Sequence, residues 1–217
     1  MSAEEILLRN HVPYRLLVSR ADAPAAIPDG CDIVLVAAQK CLSDKEIATL
    51  EAWLGKGGKL VVTGCSGDSD ELNRQRWCSP FASFPKGGGL VCRAEPDICA
   101  IACGSWEYRV AAPKDGGSRL VADLADVGFS PEVSVGSLPE RVFVEMKKTA
   151  AGYAVHLLDY DPSAPVSEAA LHVPKGAKAV FRDLNGGRVE LRERGGMVEL
   201  PGFTEYSLVE VFLGKDG

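Results

Sequence analysis

The stretch DIVLVAAQKCLSDKEIATLEAWLGKGGKLVVTG, residues 32–64, decides the fold. Residues 32–38 carry, after Asp32, an unbroken apolar run, the mark of a strand covered on both faces. Ser43 followed three residues later by Glu46 makes a capping box that opens a helix. Ile47, Leu50 and Leu54 then recur on one side, a stripe suited to lie on a sheet. Gly57-Gly58 supplies the left-handed stop, and residues 59–63 (KLVVT) form a second buried strand. Strand, helix and strand within about thirty residues make a right-handed βαβ unit, and therefore a parallel sheet.

Upstream, residues 14–18 (YRLLV) read as a further short strand, preceded by a helix-like stretch at 4–10. A doubly wound domain usually opens on a strand, so the chain is expected to begin inside a domain or to be a piece of a longer polypeptide. Downstream, Gly64-Cys65-Ser66-Gly67 is a tight turn, and the polar residues 68–76 read as a surface helix. Pro80, Pro85 and Gly87-Gly88-Gly89 mark loops. Residues 90–93, 98–103 and 107–112 read as short strands, and 120–125 fits either strand or helix. Pro131, Gly136 and Pro139 cluster at 130–139 and suggest a domain boundary.

Beyond that boundary the period changes. Residues 141–148, 152–159, 168–173, 177–183, 188–192, 197–200 and 206–212 are short strand candidates separated by Gly, Pro and Asn signals. Such spacing predicts an antiparallel sandwich. Asn185-Gly186 predicts a type I′ hairpin turn, with positive φ at both residues.

The 217 residues leave no room for a (β/α)₈ barrel beside anything else, since that barrel takes about 250. Twenty-four basic against 30 acidic residues give a net charge of −6, without the basic surplus that a phosphate backbone requires. No nucleic-acid partner is expected. No apolar run approaches the ~18–20 residues of a membrane span, and the opening Met1-Ser2-Ala3-Glu4-Glu5 lacks signal-peptide character. The seven cysteines, Cys31, Cys41, Cys65, Cys78, Cys92, Cys99 and Cys103, are odd in number, which favours reduced thiols in a cytoplasmic protein. Cys99 and Cys103 lack zinc-ribbon spacing and a nearby histidine, so no metal and no cofactor is expected.

Residues 31–76, with Leu42-Ser43-Asp44-Lys45-Glu46 opening the helix and Gly57-Gly58-Lys59-Leu60-Val61-Val62-Thr63-Gly64 closing the unit, resemble a class I glutamine-amidotransferase-like (flavodoxin-like) domain. Such a domain follows the catalytic barrel in family 42-type β-galactosidases and related glycoside hydrolases. Val155-His156-Leu157-Leu158-Asp159-Tyr160, Val198-Glu199-Leu200-Pro201-Gly202-Phe203 and Tyr206-Ser207-Leu208-Val209 resemble the small β-domain that ends those proteins. Similar proteins usually carry Asn where Asp159 stands. The resemblance implies an accessory role, because in those glycosidases the catalytic Glu pair sits on the barrel.

One chemical candidate stands out. Thr63-Gly64-Cys65-Ser66-Gly67 lies where a nucleophile elbow would, and a helix following it would activate the thiol and offer N–H groups to an oxyanion. The resemblance implies Gly-x-Cys-x-Gly there, with a later His-x-Glu pair. Here Thr63 replaces the leading glycine, and none of His11, His156 and His172 begins His-x-Glu. Without a partnered imidazole the thiol lacks its base. Asp68, Asp70 and Glu71 read as the acidic first turn of that surface helix, an ordinary helix stabiliser, rather than as a divalent-cation site, while Asp159, Asp161 and Glu168 are acids that a glycosidase pair would need at a defined separation. Among the aromatics Trp53, Trp77, Trp106, Tyr108, Tyr153 and Tyr160, the best sugar platform is Trp106 with Tyr108, two apart on one strand face.

The reading is an α/β protein: a flavodoxin-like three-layer domain over residues 1–130, then an antiparallel β-sandwich over 138–217. Its expected function is non-catalytic, an accessory or assembly region of a glycoside hydrolase-like protein. The expected partners are copies of itself, an upstream catalytic domain, or carbohydrate. The alternatives are a Cys65-dependent amidase or amidotransferase-like hydrolase, and a carbohydrate-binding module built on Trp106 and Tyr108.

Overall fold

The computed structural model describes residues 3–85, 87, 89–93, 118–161 and 163–214. The chain divides into two compact units, Met1–Ile6 with Arg15–Ser130, and Leu7–Tyr14 with Pro131–Gly217. A short helix α1 (Ala3–Arg9) opens the chain.

In the first unit the segment 32–64 forms strand β1 (Ile33–Ala37), helix α2 (Asp44–Gly55) and strand β2 (Lys59–Thr63). β1 and β2 run parallel, with Ile33 opposite Lys59 and Ala37 opposite Thr63. Strand β3 (Leu90–Arg93) adds to β2, also in parallel, giving the order β1-β2-β3. The predicted stripe of α2 lies on this sheet: Ile47, Leu50 and Leu54 pack with Val34, Val36, Leu60 and Val62. Phe81 and Phe84, edge to face at 5.2 Å between ring centres, close the same cluster from a 3₁₀ turn at Pro80–Ser83.

Both ends of α2 are chemically fixed. The Ser43 hydroxyl accepts from Glu46 N at 3.3 Å, and Ser43 N donates to Glu46 Oε2 at 2.8 Å. At the far end Gly58 N donates to Trp53 O and Gly57 N to Leu54 O, a Schellman closure with Gly57 at φ +88°. The Trp53 indole donates to the Lys59 carbonyl and lies where a Gly58 Cβ would come within 2.2 Å of it. Ser43→Ala removes the cap, and we expect a cost of about 1 kcal/mol, read as a lower urea midpoint. An unchanged midpoint would show that the cap contributes nothing here.

Three expectations for this unit meet corrections or choices. Residues 14–18 are no strand: Leu16 and Val18 stand largely in solvent, and β1 is the edge of the described sheet. Residues 68–76 are not helical. The Asp70 carboxylate accepts from Leu72 N at 3.0 Å and from Arg74 N at 2.9 Å, and Asn73 takes φ +58°. A side chain that captures backbone N–H groups in this way competes directly with helix formation. Residues 120–125 fall inside helix α3 (Ser118–Asp126), with Leu120 and Leu124 buried and a second Schellman closure at Gly128. The strands predicted at 98–103 and 107–112 lie outside the described residues.

The second unit is built from β4 (Ser134–Ser137), β5 (Val142–Thr149), β6 (Gly152–Asp159), β7 (Ala169–His172), β8 (Lys178–Asp183), β9 (Arg188–Arg192), β10 (Met197–Leu200) and β11 (Tyr206–Phe212). All pairings are antiparallel, in sheets of order β10-β7-β4 and β5-β6-β11-β8-β9. Alternation puts Val155 and Leu157 of β6, Val209 and Val211 of β11, and Ala179 and Phe181 of β8 on the inner face. They meet Leu171, Val198 and Leu200 of the other sheet in one core, so this unit is a sandwich.

β4 escapes a reading from sequence because Ser134-Val135-Gly136-Ser137 looks like linker, and its register against β7 shifts between Val135 and Ser137. The Asn185-Gly186 turn also differs from the I′ expectation. Gly186 has φ +82° but Asn185 is not in the left-handed region. Asp183 takes over: its carbonyl accepts from Gly186 N, and its carboxylate accepts from Asn185 N and Gly187 N, both at 2.8 Å. A two-residue turn with positive φ at both residues forms at Gly195-Gly196, at φ +64° and +85°, with Arg194 and Met197 exchanging backbone bonds across it.

Candidate functional site

The turn after β2 is the place where Cys65 was expected to act. Ser66, not Cys65, fixes it: the buried Ser66 hydroxyl accepts from Gln39 N at 3.0 Å and lies 2.7 Å from the Thr63 carbonyl and 3.1 Å from that of Val36. Gly64 and Gly67 take φ +60° and +74° on either side. Cys65 is exposed, its Sγ 4.0 Å from the Ala38 carbonyl. The chain then runs into the Asp70-centred loop, so no helix N-terminus faces the thiol from that side. The first unit also contains no histidine, since His11, His156 and His172 all belong to the second. Cys65 thus has a sharp turn without the imidazole, within its own unit, that a thiolate nucleophile needs.

Two of the three candidate acids of the second unit, Asp159 and Asp161, are engaged in structure. Asp159 ends β6 with its side chain 0% exposed, and Arg141 Nε donates to Oδ1 at 3.0 Å and to Oδ2 at 3.3 Å. Arg141 Nη2 also donates to the Ala164 carbonyl at 2.7 Å, and Asp161 N donates to Asp159 Oδ1 at 3.0 Å. The pair therefore ties the loop after β6 to the start of β5. Asp161 is exposed, and hydrogen bonds from Ser163 hold its carboxyl below the usual range. A glycosidase general acid needs the opposite shift. Glu168 is exposed beside β7. Asp70 is likewise held low by Arg74, whose backbone N–H and Nε both donate to it. Among the described residues no group of three or more His, Cys, Asp or Glu is placed to hold a metal ion.

Arg141 was missed in sequence, although a signal existed. The hairpin turns at Ala150-Ala151, with Thr149 opposite Gly152 and Val142 opposite Asp159, which sets Arg141 beside that carboxylate. The aromatics divide plainly. Trp53 packs over Gly58, the Tyr153 hydroxyl donates to Glu132 at 2.9 Å, and Tyr160 and Trp77 are exposed. Trp106 and Tyr108 lie outside the described residues, as do Cys99 and Cys103.

Two of the histidines lie within hydrogen-bond reach of neighbours in the second unit. His156 Nδ1 is 2.7 Å from the Tyr206 hydroxyl. His11 Nε2 lies 3.4 Å from the Leu138 carbonyl, and its buried Nδ1 has no partner. Burial pushes the His11 imidazole below its ordinary value, outweighing the Leu138 carbonyl and the Glu140 charge that act the other way. The folded state thus takes up a proton less readily than the unfolded chain, whose histidine titrates near about 6.5. His11 therefore contributes stability above that value and loses it as pH falls toward the folded one. We expect the urea midpoint to fall from pH 8 to pH 6, and to fall less in His11→Asn, which tolerates the residue's φ of +54°. Equal slopes would remove His11 from the account.

With this geometry in place, the class defined is a parallel α/β unit joined to an antiparallel β-sandwich. No family model and no curated protein matches the sequence. Solved structures do match in fold. An α-L-fucosidase isoenzyme 2 from Paenibacillus thiaminolyticus has TM-score 0.60 and 14% identity, covering 98% of this chain and 44% of its own. A β-galactosidase from Bacillus circulans sp. alkalophilus has TM-score 0.53 and 11% identity, covering 96% and 36%. A β-galactosidase from Rahnella sp. R3 has TM-score 0.51 and 12% identity, covering 95% and 36%. The chain thus spans less than half the length of each, and the likeness is one of fold. Among the described residues no helix is long and apolar enough to cross a membrane.

Proposed function

We propose that this chain is a non-catalytic accessory and assembly region of a glycoside hydrolase-like protein. In this reading residues 1–130 are a flavodoxin-like, amidotransferase-related domain, residues 138–217 are a β-sandwich domain, and the protein works in the cytoplasm. One observation carries it: nearly all of this chain, 95–98%, matches in fold, yet it accounts for only 36–44% of those glycosidases. The chemistry agrees. Cys65 has no imidazole in its own unit, and the Asp159 carboxylate is spent on Arg141. The role left to such a scaffold is packing, against a catalytic domain or against further copies.

Sedimentation equilibrium of the purified chain tests the assembly role. We expect a concentration-dependent mass above that of one chain. A single-chain mass at every concentration would contradict self-assembly.

A further inference from the structure

β1 closes the described parallel sheet on one side, and its outer backbone is unmatched. Ala38 N donates to Thr63 O, so Val34, Val36 and Ala38 turn their backbone groups toward β2. Ile33, Leu35 and Ala37 therefore turn theirs outward. The Cys31 thiol meets the Ile33 carbonyl at 3.3 Å, but the outward N–H and C=O groups of Leu35 and Ala37 have no partner among the described residues.

Such an edge stands apart from the others in the molecule. The outer strands of the five-stranded sheet are studded with charge, Glu145, Lys147 and Lys148 on β5 and Arg188, Glu190 and Arg192 on β9. β4 carries a register shift. These devices keep a free edge from pairing. Ile33-Val34-Leu35-Val36-Ala37 has none of them: no charge, no proline and no bulge. Its composition is that of an interior strand.

Residues 15–19 define the shape of the neighbour that fits. Burial pushes the Cys31 thiol up, and the Ile33 carbonyl and the nearby Arg15 charge oppose it, so Arg15 stands at the entry to β1. Ser19 lies beside the Glu46 carboxylate in the first turn of α2, above the exit from β1. The segment thus runs along β1 in the same direction, yet no backbone hydrogen bond joins the two. Leu16 and Val18 on it are 66% and 79% exposed. A second copy approaching edge to edge with its whole sheet meets this segment first. One extended strand enters beside it.

We propose that β1 takes one further strand from a partner polypeptide, apolar and parallel, held between β1 and residues 15–19 by backbone bonds to Leu35 and Ala37. Main-chain pairing supplies the affinity in such strand addition. The inference concerns the parallel sheet alone and goes beyond the accessory reading above.

The probe is the capped, fluorescein-labelled peptide KVIVIVK, titrated into the full chain and followed by anisotropy and by amide hydrogen exchange. We expect saturable binding, with exchange slowed at Leu35, at Ala37 and within residues 15–19. The same peptide N-methylated throughout its apolar core keeps the side chains and loses the donors, and is expected to bind at least about tenfold more weakly. No binding, equal binding of the N-methylated peptide, or slowed exchange confined to other segments overturns the proposal. Slow exchange at Leu35 and Ala37 without peptide, in a chain that sediments as a dimer, puts a second copy on β1. That outcome overturns the partner strand and leaves the assembly role standing. A single-chain mass with exchange slowed on adding peptide supports the strand site and contradicts self-assembly.

Discussion

Replacing Arg141 with Met is expected to destabilise the sandwich by about 3 kcal/mol, because it leaves a buried carboxylate without its counter-charge. The figure sits at the low end for a broken buried pair, since the Arg141 side chain is 31% exposed while that of Asp159 is 0%. Arg141 also donates to the Ala164 carbonyl, so its loss frees the loop after β6. Asp159→Asn added to Arg141→Met removes the stranded charge and keeps an acceptor for the Asp161 N–H. The double variant is therefore expected to recover part of the loss, giving a non-additive cycle. Urea denaturation measures it. Strict additivity would mean that the two side chains do not interact.

The second large effect is expected at Gly152, where β6 begins. Its φ is +148°, and a Cβ built there would lie 2.1 Å from the backbone carbonyl oxygen of Val211, its close neighbour on β11. That neighbour is backbone inside a sheet, so no flexible side chain can yield. Gly152→Ala must part β6 from β11 or leave the ladder strained, at about 3 kcal/mol or more. Gly176→Ala is the control, with φ +80° and open space around the new Cβ. It carries only the left-handed backbone penalty of roughly 1–2 kcal/mol. Equal melting temperatures for the two variants would contradict the close approach at Gly152.

Much of the scaffold was legible because its signals are local and repeated. The capping box at Ser43 and Glu46, the stripe Ile47-Leu50-Leu54 and the buried runs on either side specify one βαβ unit with little competition. In the sandwich, turn residues alternate with short apolar strands, so seven of its strands can be read from spacing. Two of the failures have a common cause, a polar side chain capturing backbone. Asp70 turned a polar stretch with helical composition into a loop, and Asp183 replaced the expected I′ turn beside Asn185-Gly186. Such captures depend on which N–H groups are left free, and composition does not show that. Residues 14–18 failed differently, since an apolar run becomes a strand only where a partner backbone meets it. At the candidate site, that no histidine shares the unit of Cys65 follows from the positions of the three histidines along the chain, whereas the engagement of Asp159 by Arg141 required strand register.

Turnover by the purified chain tests the absence of catalysis most directly. Nitrophenyl β-galactoside, nitrophenyl α-L-fucoside and glutamine are the substrates to offer it. We predict no product above the protein-free rate for any of the three. Product that forms with the wild-type chain and disappears in Cys65→Ser, Asp161→Asn or Glu168→Gln would contradict the account.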